Sequence, residues 1–352
     1  MKQIILGAVL ACAIVPMLAA QVLDKPAATV RLTRTESITV SLLQKTVSAM
    51  EAQAKRTLGT DERKQLLDAL IGNALILQAA ARDNVVVSEA EMRTAVGEYQ
   101  RQMGQLAGLG RPMNEQELQQ YIKGNGLTYD AFQKQIRDQQ TVLDYLRKKK
   151  PALFDLPRTV PDQEIQDYYD QNKANFFMND MVTVKHIFID TRQLTTKDDR
   201  DKAARHADDI LKELKGGASF DSLVLKYSED NKSKYSGGLF NSFFRNDAQN
   251  RQFLGAAFFD AIFRLKKGET SGVLQSNLGF HIVQVTDRMD ARLLALTDKI
   301  PPQNTVTVRE AINQQLVAQR QADAYKNGLN DLVAELKKQA EIRIFDDNIA
   351  WQ

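Results

Sequence analysis

The sequence predicts an α+β protein in which helical segments flank a central stretch of strands and helices. Three observations predict it. Residues 181–288 open with the strand-like run Val182-Thr-Val-Lys-His186-Ile-Phe-Ile189 and close with Leu278-Gly-Phe-His281-Ile-Val-Gln-Val285, with helical periodicity between them. The segments on either side carry amphipathic helices, several of them introduced by capping-box signals. At 352 residues the chain is long enough for two domains with separate cores.

The first twenty residues read as a secretory signal peptide: Lys2, an apolar run from Ile4 to Val15, then Pro16-Met-Leu-Ala-Ala20 before Gln21. Cleavage after Ala20 is the favoured reading. Val9-Leu-Ala-Cys12 offers a lipobox, and an uncleaved anchor is the third alternative, although a bilayer span needs about 20 residues. Cys12 is the single cysteine, so the mature chain expected from cleavage has no disulfide framework and no thiolate metal site. Acids and bases nearly cancel, leaving a formal net charge of +3, and no broad basic face for nucleic acid is indicated. The basic run Arg147-Lys-Lys-Lys150 closes a helical pattern, where cations complement the carbonyl end of a helix.

Residues 21–150 form the first helical domain. Thr29–Leu32 and Ile38–Val40 suggest a small hairpin turning at Thr35-Glu-Ser. Ser41-Leu-Leu-Gln44 reads as a capping box for a helix with Leu43, Val47, Met50 and Ala54 on one face. Thr60 begins a helix carrying Leu67, Leu70, Ile71, Ala74, Leu75 and Gln78. Ser88-Glu-Ala-Glu91 and Asn114-Glu-Gln-Glu117 are further capping boxes, and Thr128 precedes a helix with Phe132, Ile136, Leu143 and Leu146. Gly104–Pro112 reads as a mobile, glycine-rich break. Residues 151–180 are a proline-containing linker and a lead-in helix over Pro161–Asn172. From Thr307, another capping box opens a helix of about 30 residues, about 45 Å long, whose stripe of Val308, Ile312, Leu316, Tyr325, Leu329, Leu332 and Leu336 cannot be hidden by the helix alone. Glu341–Phe345 alternates like a last strand, and residues 303–352 form the C-terminal segment.

Inside residues 181–288, side chains alternate faces along each strand, so His186 points with Val182, Val184 and Phe188, and His281 with Val283 and Val285. Between the strands come two helical patterns, the loop Tyr227-Ser-Glu-Asp230-Asn-Lys-Ser-Lys-Tyr-Ser-Gly237-Gly238, and a third helical pattern ending at Lys267-Gly268. This order, together with the closing Lys267-Gly-Glu-Thr-Ser-Gly-Val-Leu-Gln-Ser-Asn-Leu-Gly-Phe-His281-Ile, resembles a parvulin-type peptidyl-prolyl isomerase domain. The helical segments and the lead-in with Tyr168-Tyr169 and Asn172 resemble the SurA and PrsA families of exported folding factors. The resemblance implies a small antiparallel sheet flanked by helices, inserted into a chaperone domain whose C-terminal segment packs back on the N-terminal one.

It also implies a site. The paired histidines fall at His186 and His281, and Asp230 stands where family members carry cysteine or aspartate. Leu254 and Phe258 fall on the wall of the proline pocket, and Ser276 on the hydroxyl position before the last strand. Prolyl isomerisation needs no cofactor and no metal, only an apolar pocket and oriented polar groups that favour the twisted amide. A histidine pair also serves as a satisfied pair in a small core, and a phenylalanine on a helix is more often core than pocket. His206, among Asp and Arg on a helix, reads as an exposed bystander.

Two departures stand out. Where the family pattern is Gly-Gly-Asp-Leu-Gly, this chain has Gly237-Gly238-Leu239-Phe240-Asn241, and the lost glycine predicts a different backbone path beside the site. The usual pocket methionine is Leu254, a volume-conserving change. The implied function is an exported, periplasmic or extracytoplasmic isomerase and chaperone whose partners are unfolded or nascent exported polypeptides, with the N-terminus as a route to membrane association. The alternative is a holdase whose parvulin domain is a weak or inactive clamp.

Overall fold

Pro26–Arg31 (β1) and Thr35–Thr39 (β2) pair antiparallel, with the chain turning over residues 32–34 rather than at Thr35-Glu-Ser. The computed structural model describes residues 24–349, so the expected signal peptide and Cys12 lie outside the described residues. A distant side chain sets the position of the turn. Buried Gln78 accepts the N–H groups of Leu32, Thr33 and Arg34 on its Oε1 at 3.0, 3.1 and 3.4 Å.

The first helix, Val40–Ala54 (α1), starts at the end of β2, and Thr39 Oγ1 caps it by accepting the Leu42 N–H at 3.3 Å. The expected box at Ser41 is therefore not formed, and the Ser41 hydroxyl donates to Asp24 instead. Leu43 and Val47 are buried, but Met50 is 39% exposed. Thr60–Arg82 (α2) buries all six residues of its expected stripe. Glu89–Leu106 (α3), Glu115–Gly124 (α4) and Tyr129–Lys149 (α5) follow. The boxes at Ser88 and Asn114 close as expected: Glu91 N–H donates to Ser88 Oγ at 3.2 Å, and Glu117 N–H to Asn114 Oδ1 at 2.9 Å. Gly104 is a buried position within α3 rather than a break. A Cβ there would lie 2.0 Å from the carbonyl oxygen of Arg111, so the returning chain needs the missing side chain. The basic run pairs with carboxylates near and far in the chain, Arg147 with Asp144, Lys149 with Asp83 and Lys150 with Glu335.

The chain divides into two compact units, Thr159–Gln315 and the residues on either side of it. The inner unit begins with Asp162–Gln171 (α6) and Phe177–Met178 (β3). Met181–Asp190 (β4), Lys197–Lys215 (α7), Phe220–Tyr227 (α8) and Leu239–Phe244 (β5) come next. The expected third helix is two short ones, Ala248–Leu254 (α9) and Ala256–Ile262 (α10), divided at Gly255. Thr270–Gln275 (β6), Gly279–Met289 (β7) and Arg292–Leu293 (β8) complete the strands, with β8 paired to β3. The main sheet is antiparallel in the order β5-β4-β7-β6. One face packs Val182, Val184, Phe243, Val283 and Val285 against Leu254, Phe258 and Phe259, and the other packs Ile187, Ile189 and Ile282 against α7 and α8.

Val308–Lys337 (α11) begins with Thr307 and Glu310 exchanging backbone–side-chain bonds at 2.7 and 3.2 Å. Its later turns place Leu332 and Leu336 in the core formed by α2, β1 and the end of α5. Glu341–Ile344 (β9) pairs antiparallel with β1, giving the order β2-β1-β9. The helical domain is thus built from both ends of the chain, with the parvulin-like sheet inserted.

Candidate functional site

Strand alternation brings His186 on β4 and His281 on β7 to the same face, and both imidazoles are 1% exposed. Their Nδ1 atoms are 3.1 Å apart. His186 Nε2 lies 3.0 Å from Asp230 Oδ2 and 3.2 Å from Ser233 Oγ. His281 Nε2 lies 2.8 Å from Ser276 Oγ, which also receives the Leu278 and Gly279 N–H groups at 3.0 and 3.3 Å.

The charges follow from these surroundings. Burial lowers the pKa of both histidines; it carries His281 to about 3, with His186 adding to the effect, while the Asp230 carboxylate partly opposes it at His186. For Asp230, burial acts upward, but the hydrogen bonds from Ser233 and His186 outweigh it and hold the carboxyl below its usual value. Near neutrality the pair is uncharged and Asp230 is a carboxylate that can only accept. His186 must then donate from Nε2 to Asp230, accept on Nδ1 from His281 Nδ1–H, and leave His281 Nε2 to accept the Ser276 hydroxyl. One directional chain runs from the β6–β7 turn to a carboxylate that is 21% exposed.

Of the other sequence-derived residues, the Phe258 ring lies 4.6 Å from the His281 ring, and Leu254 belongs to the same apolar cluster. Both are 1% exposed. His206 is exposed on α7, with its ring 5.4 Å from that of Tyr227. Two residues are additional. Ser233 donates to Asp230 Oδ2 at 2.5 Å, which its place three residues after Asp230 in a loop could have suggested. Phe240 stacks on His186 with centroids 4.0 Å apart and planes inclined by 13°. Gly237 and Gly238 take positive φ, and a Cβ on Gly238 would lie 2.7 Å from the His186 carbonyl oxygen. Asn241 takes no positive φ, but β5 shifts register against β4 at this point: Val184 faces Asn241 and Lys185 faces Leu239, which leaves Phe240 as the extra residue. Among the described residues no cluster of three His, Cys, Asp or Glu side chains converges as metal ligands.

A four-strand antiparallel sheet with a buried histidine pair linked to an acidic loop residue defines a parvulin-type domain. Residues 169–289 match the PPIC-type PPIASE domain family, and residues 2–145 match the SurA-like N-terminal domain family. The two matches, to successive parts of the chain, support a parvulin-type SurA/PrsA family protein. It is 28% identical over 288 residues to Chaperone SurA of Sodalis glossinidius, an alignment that covers 81% of this chain and 62% of that protein. With Chaperone SurA of Pectobacterium atrosepticum the identity is 26% over 345 residues, covering 96% of this chain and 75% of the other. Foldase protein PrsA of Clostridium botulinum is 23% identical over 290 residues, covering 82% and 75%. The chain thus spans less than two thirds of the Sodalis relative it matches.

Proposed function

We propose that this chain is an exported peptidyl-prolyl cis-trans isomerase and chaperone that assists the folding of secreted or outer-membrane proteins in a periplasmic or other extracytoplasmic compartment. The observation that carries the isomerase reading is the chain Ser276–His281–His186–Asp230 set beside the apolar cluster of Phe258 and Leu254. Amide rotation must overcome a barrier of about 18–20 kcal/mol, most of it resonance that places negative charge on the carbonyl oxygen and positive charge on nitrogen. A carboxylate held near that oxygen disfavours the charge-separated form, and an apolar seat for the proline ring holds the bond while it twists. In this reading His186 and His281 are positioning residues: they orient Asp230 and floor the seat without exchanging a proton with substrate. Leu254 and Phe258 grip the ring, and Ser276 fixes the tautomer of His281.

The chaperone part is supported by the names of the relatives, Chaperone SurA and Foldase protein PrsA, and by a helical domain with large side chains left in water, such as Leu106 at 75% exposure. Its partners are unfolded or nascent exported polypeptides. The N-terminal apolar run serves export, and where it is retained it supplies membrane association; among the described residues no helix is long and apolar enough to cross a membrane. Turnover of a proline-containing peptide and suppression of light scattering by a denatured client, measured on the full chain, test the two halves. Absence of both overturns the proposal. A second reading, a holdase with a weak or inactive parvulin clamp, is favoured by Phe240, whose ring lies on His186 where the family pattern has an aliphatic residue.

A further inference from the structure

The two residues assigned to the proline pocket have almost no surface. Leu254, Phe258, His186 and His281 are each 1% exposed. A proline ring cannot touch walls that are already covered, and ligand sites bind by presenting concave apolar surface. Something must move before a prolyl bond is seated.

Phe240 is the side chain placed to do so. It packs on the cluster that contains Leu254 and Phe258 while remaining partly exposed. Its ring lies parallel to His186 at 4.0 Å, 6.0 Å from the His281 ring, and edge-on to Phe243 at 5.5 Å. Leu278 also borders the cluster, and Phe188 lies against both histidines at 5.8 and 4.7 Å, but Phe188 is buried at 5% exposure whereas Phe240 reaches the surface. Its strand, β5, is an edge strand bonded to β4 alone, so local displacement disturbs one neighbour rather than two. The strand is entered through Gly237 and Gly238, both at positive φ.

We propose that Phe240 is a gate on the proline pocket: its ring must leave His186 before a prolyl residue can enter, and it determines which prolyl bonds this chain accepts. The proposal rests on the isomerase reading. A site open for only a fraction of the time binds more weakly by that fraction. A bulky aromatic gate therefore disfavours isolated short peptides and favours segments whose neighbouring apolar side chains displace the ring, as in an unfolded client.

The experiment compares wild type, Phe240→Leu and Phe240→Trp in the full chain, using a proline tetrapeptide with alanine before proline and one with phenylalanine there. For the alanine peptide, Phe240→Leu is expected to raise kcat/KM roughly threefold to tenfold, the factor that one aromatic stacking contact supplies. Phe240→Trp is expected to lower it, and the phenylalanine peptide should gain less from Phe240→Leu. Loss of folded protein cannot raise turnover, so a gain is not an artefact of destabilisation. Unchanged or lower kcat/KM in Phe240→Leu overturns the gate and makes Phe240 an ordinary wall. Should no variant turn over, peptide affinity measured by NMR titration decides. Tighter binding by Phe240→Leu without turnover sinks the isomerase reading and keeps the gate, and equal affinity sinks the gate.

Discussion

The Nδ1 atoms of His186 and His281 face each other at 3.1 Å, so one ring must donate and the other accept. A proton added to His186 would set two Nδ1 donors against each other, and burial disfavours charge on either ring. The fold therefore holds both histidines neutral, with pKa values below the ordinary 6.5.

Stability should follow with a definite sign. A histidine kept neutral in the fold binds fewer protons than in the unfolded chain wherever pH is below about 6.5. The stabilisation is complete above that pH and is lost as pH falls toward about 3, where His281 takes up its proton in the fold. The expected slope is about 1.4 kcal/mol per pH unit for each histidine that stays neutral. Amide exchange of β4 and β7 between pH 4 and pH 8 measures it; protection that does not fall below pH 6 contradicts the neutral pair.

Asp230 ends the chain of bonds, so its removal should affect chemistry more than folding. Asp230→Ala leaves His186 Nε2–H to Ser233 and water, and turnover should fall by roughly tenfold to a hundredfold, the range expected when a positioned group is lost or displaced. Suppression of client aggregation should be unchanged, because the outer helices do not contribute to this site. Parallel loss of both activities in a well-folded variant would show that they are one activity.

Asn277 should matter through placement. Its Nδ2 donates to the Gln252 and Phe253 carbonyls at 3.1 and 3.2 Å, and its N–H donates to the Leu254 carbonyl at 3.0 Å. These are last-turn carbonyls of α9 that have no helical partner of their own. Asn277→Asp, nearly the same size, turns donors into a charge facing carbonyls, and should raise KM about tenfold, the worth of one such bond, with kcat little altered. A lower kcat at unchanged KM would mean only that less protein folds.

The C-terminal turns of α11 should be obligatory for the helical unit. Leu332 and Leu336 are each 2% exposed and β9 completes the β2-β1-β9 sheet, so a chain ending at Gln315 loses about 1.5–3 kcal/mol for each of these two side chains, as well as a strand. We expect the outer unit to lose its cooperative melt while the inner one keeps its own. A soluble, cooperatively melting outer unit in calorimetry of the truncated chain would contradict this.

Features decided within a few residues were legible in the sequence. The boxes at Ser88, Asn114 and Thr307 each need only a partner three positions away. The facing of His186 and His281 follows from strand alternation, and the family resemblance brought their strands together. What escaped was decided over long separations. The first turn is placed by Gln78, 44 to 46 positions away. Met50 was expected on a buried face because periodicity cannot say where α1 runs past its neighbours. Phe240 on His186 depends on how β5 leaves the Gly-Gly turn, which one sequence does not state.

The pairing of β1 with β9 has an entropic meaning. Arg31 and Glu341 are bridged across 310 positions, of which Thr159–Gln315 supply roughly half. Closure entropy grows only with the logarithm of loop length, so halving the loop is worth about 0.6 kcal/mol. Carrying a complete second domain inside the first therefore costs the host little more than a single weak contact. A chain with Arg158 joined directly to Leu316 should keep the host's stability to within that margin, apart from whatever the new join itself disturbs, which makes the inner unit an interchangeable passenger in the thermodynamics of the helical domain.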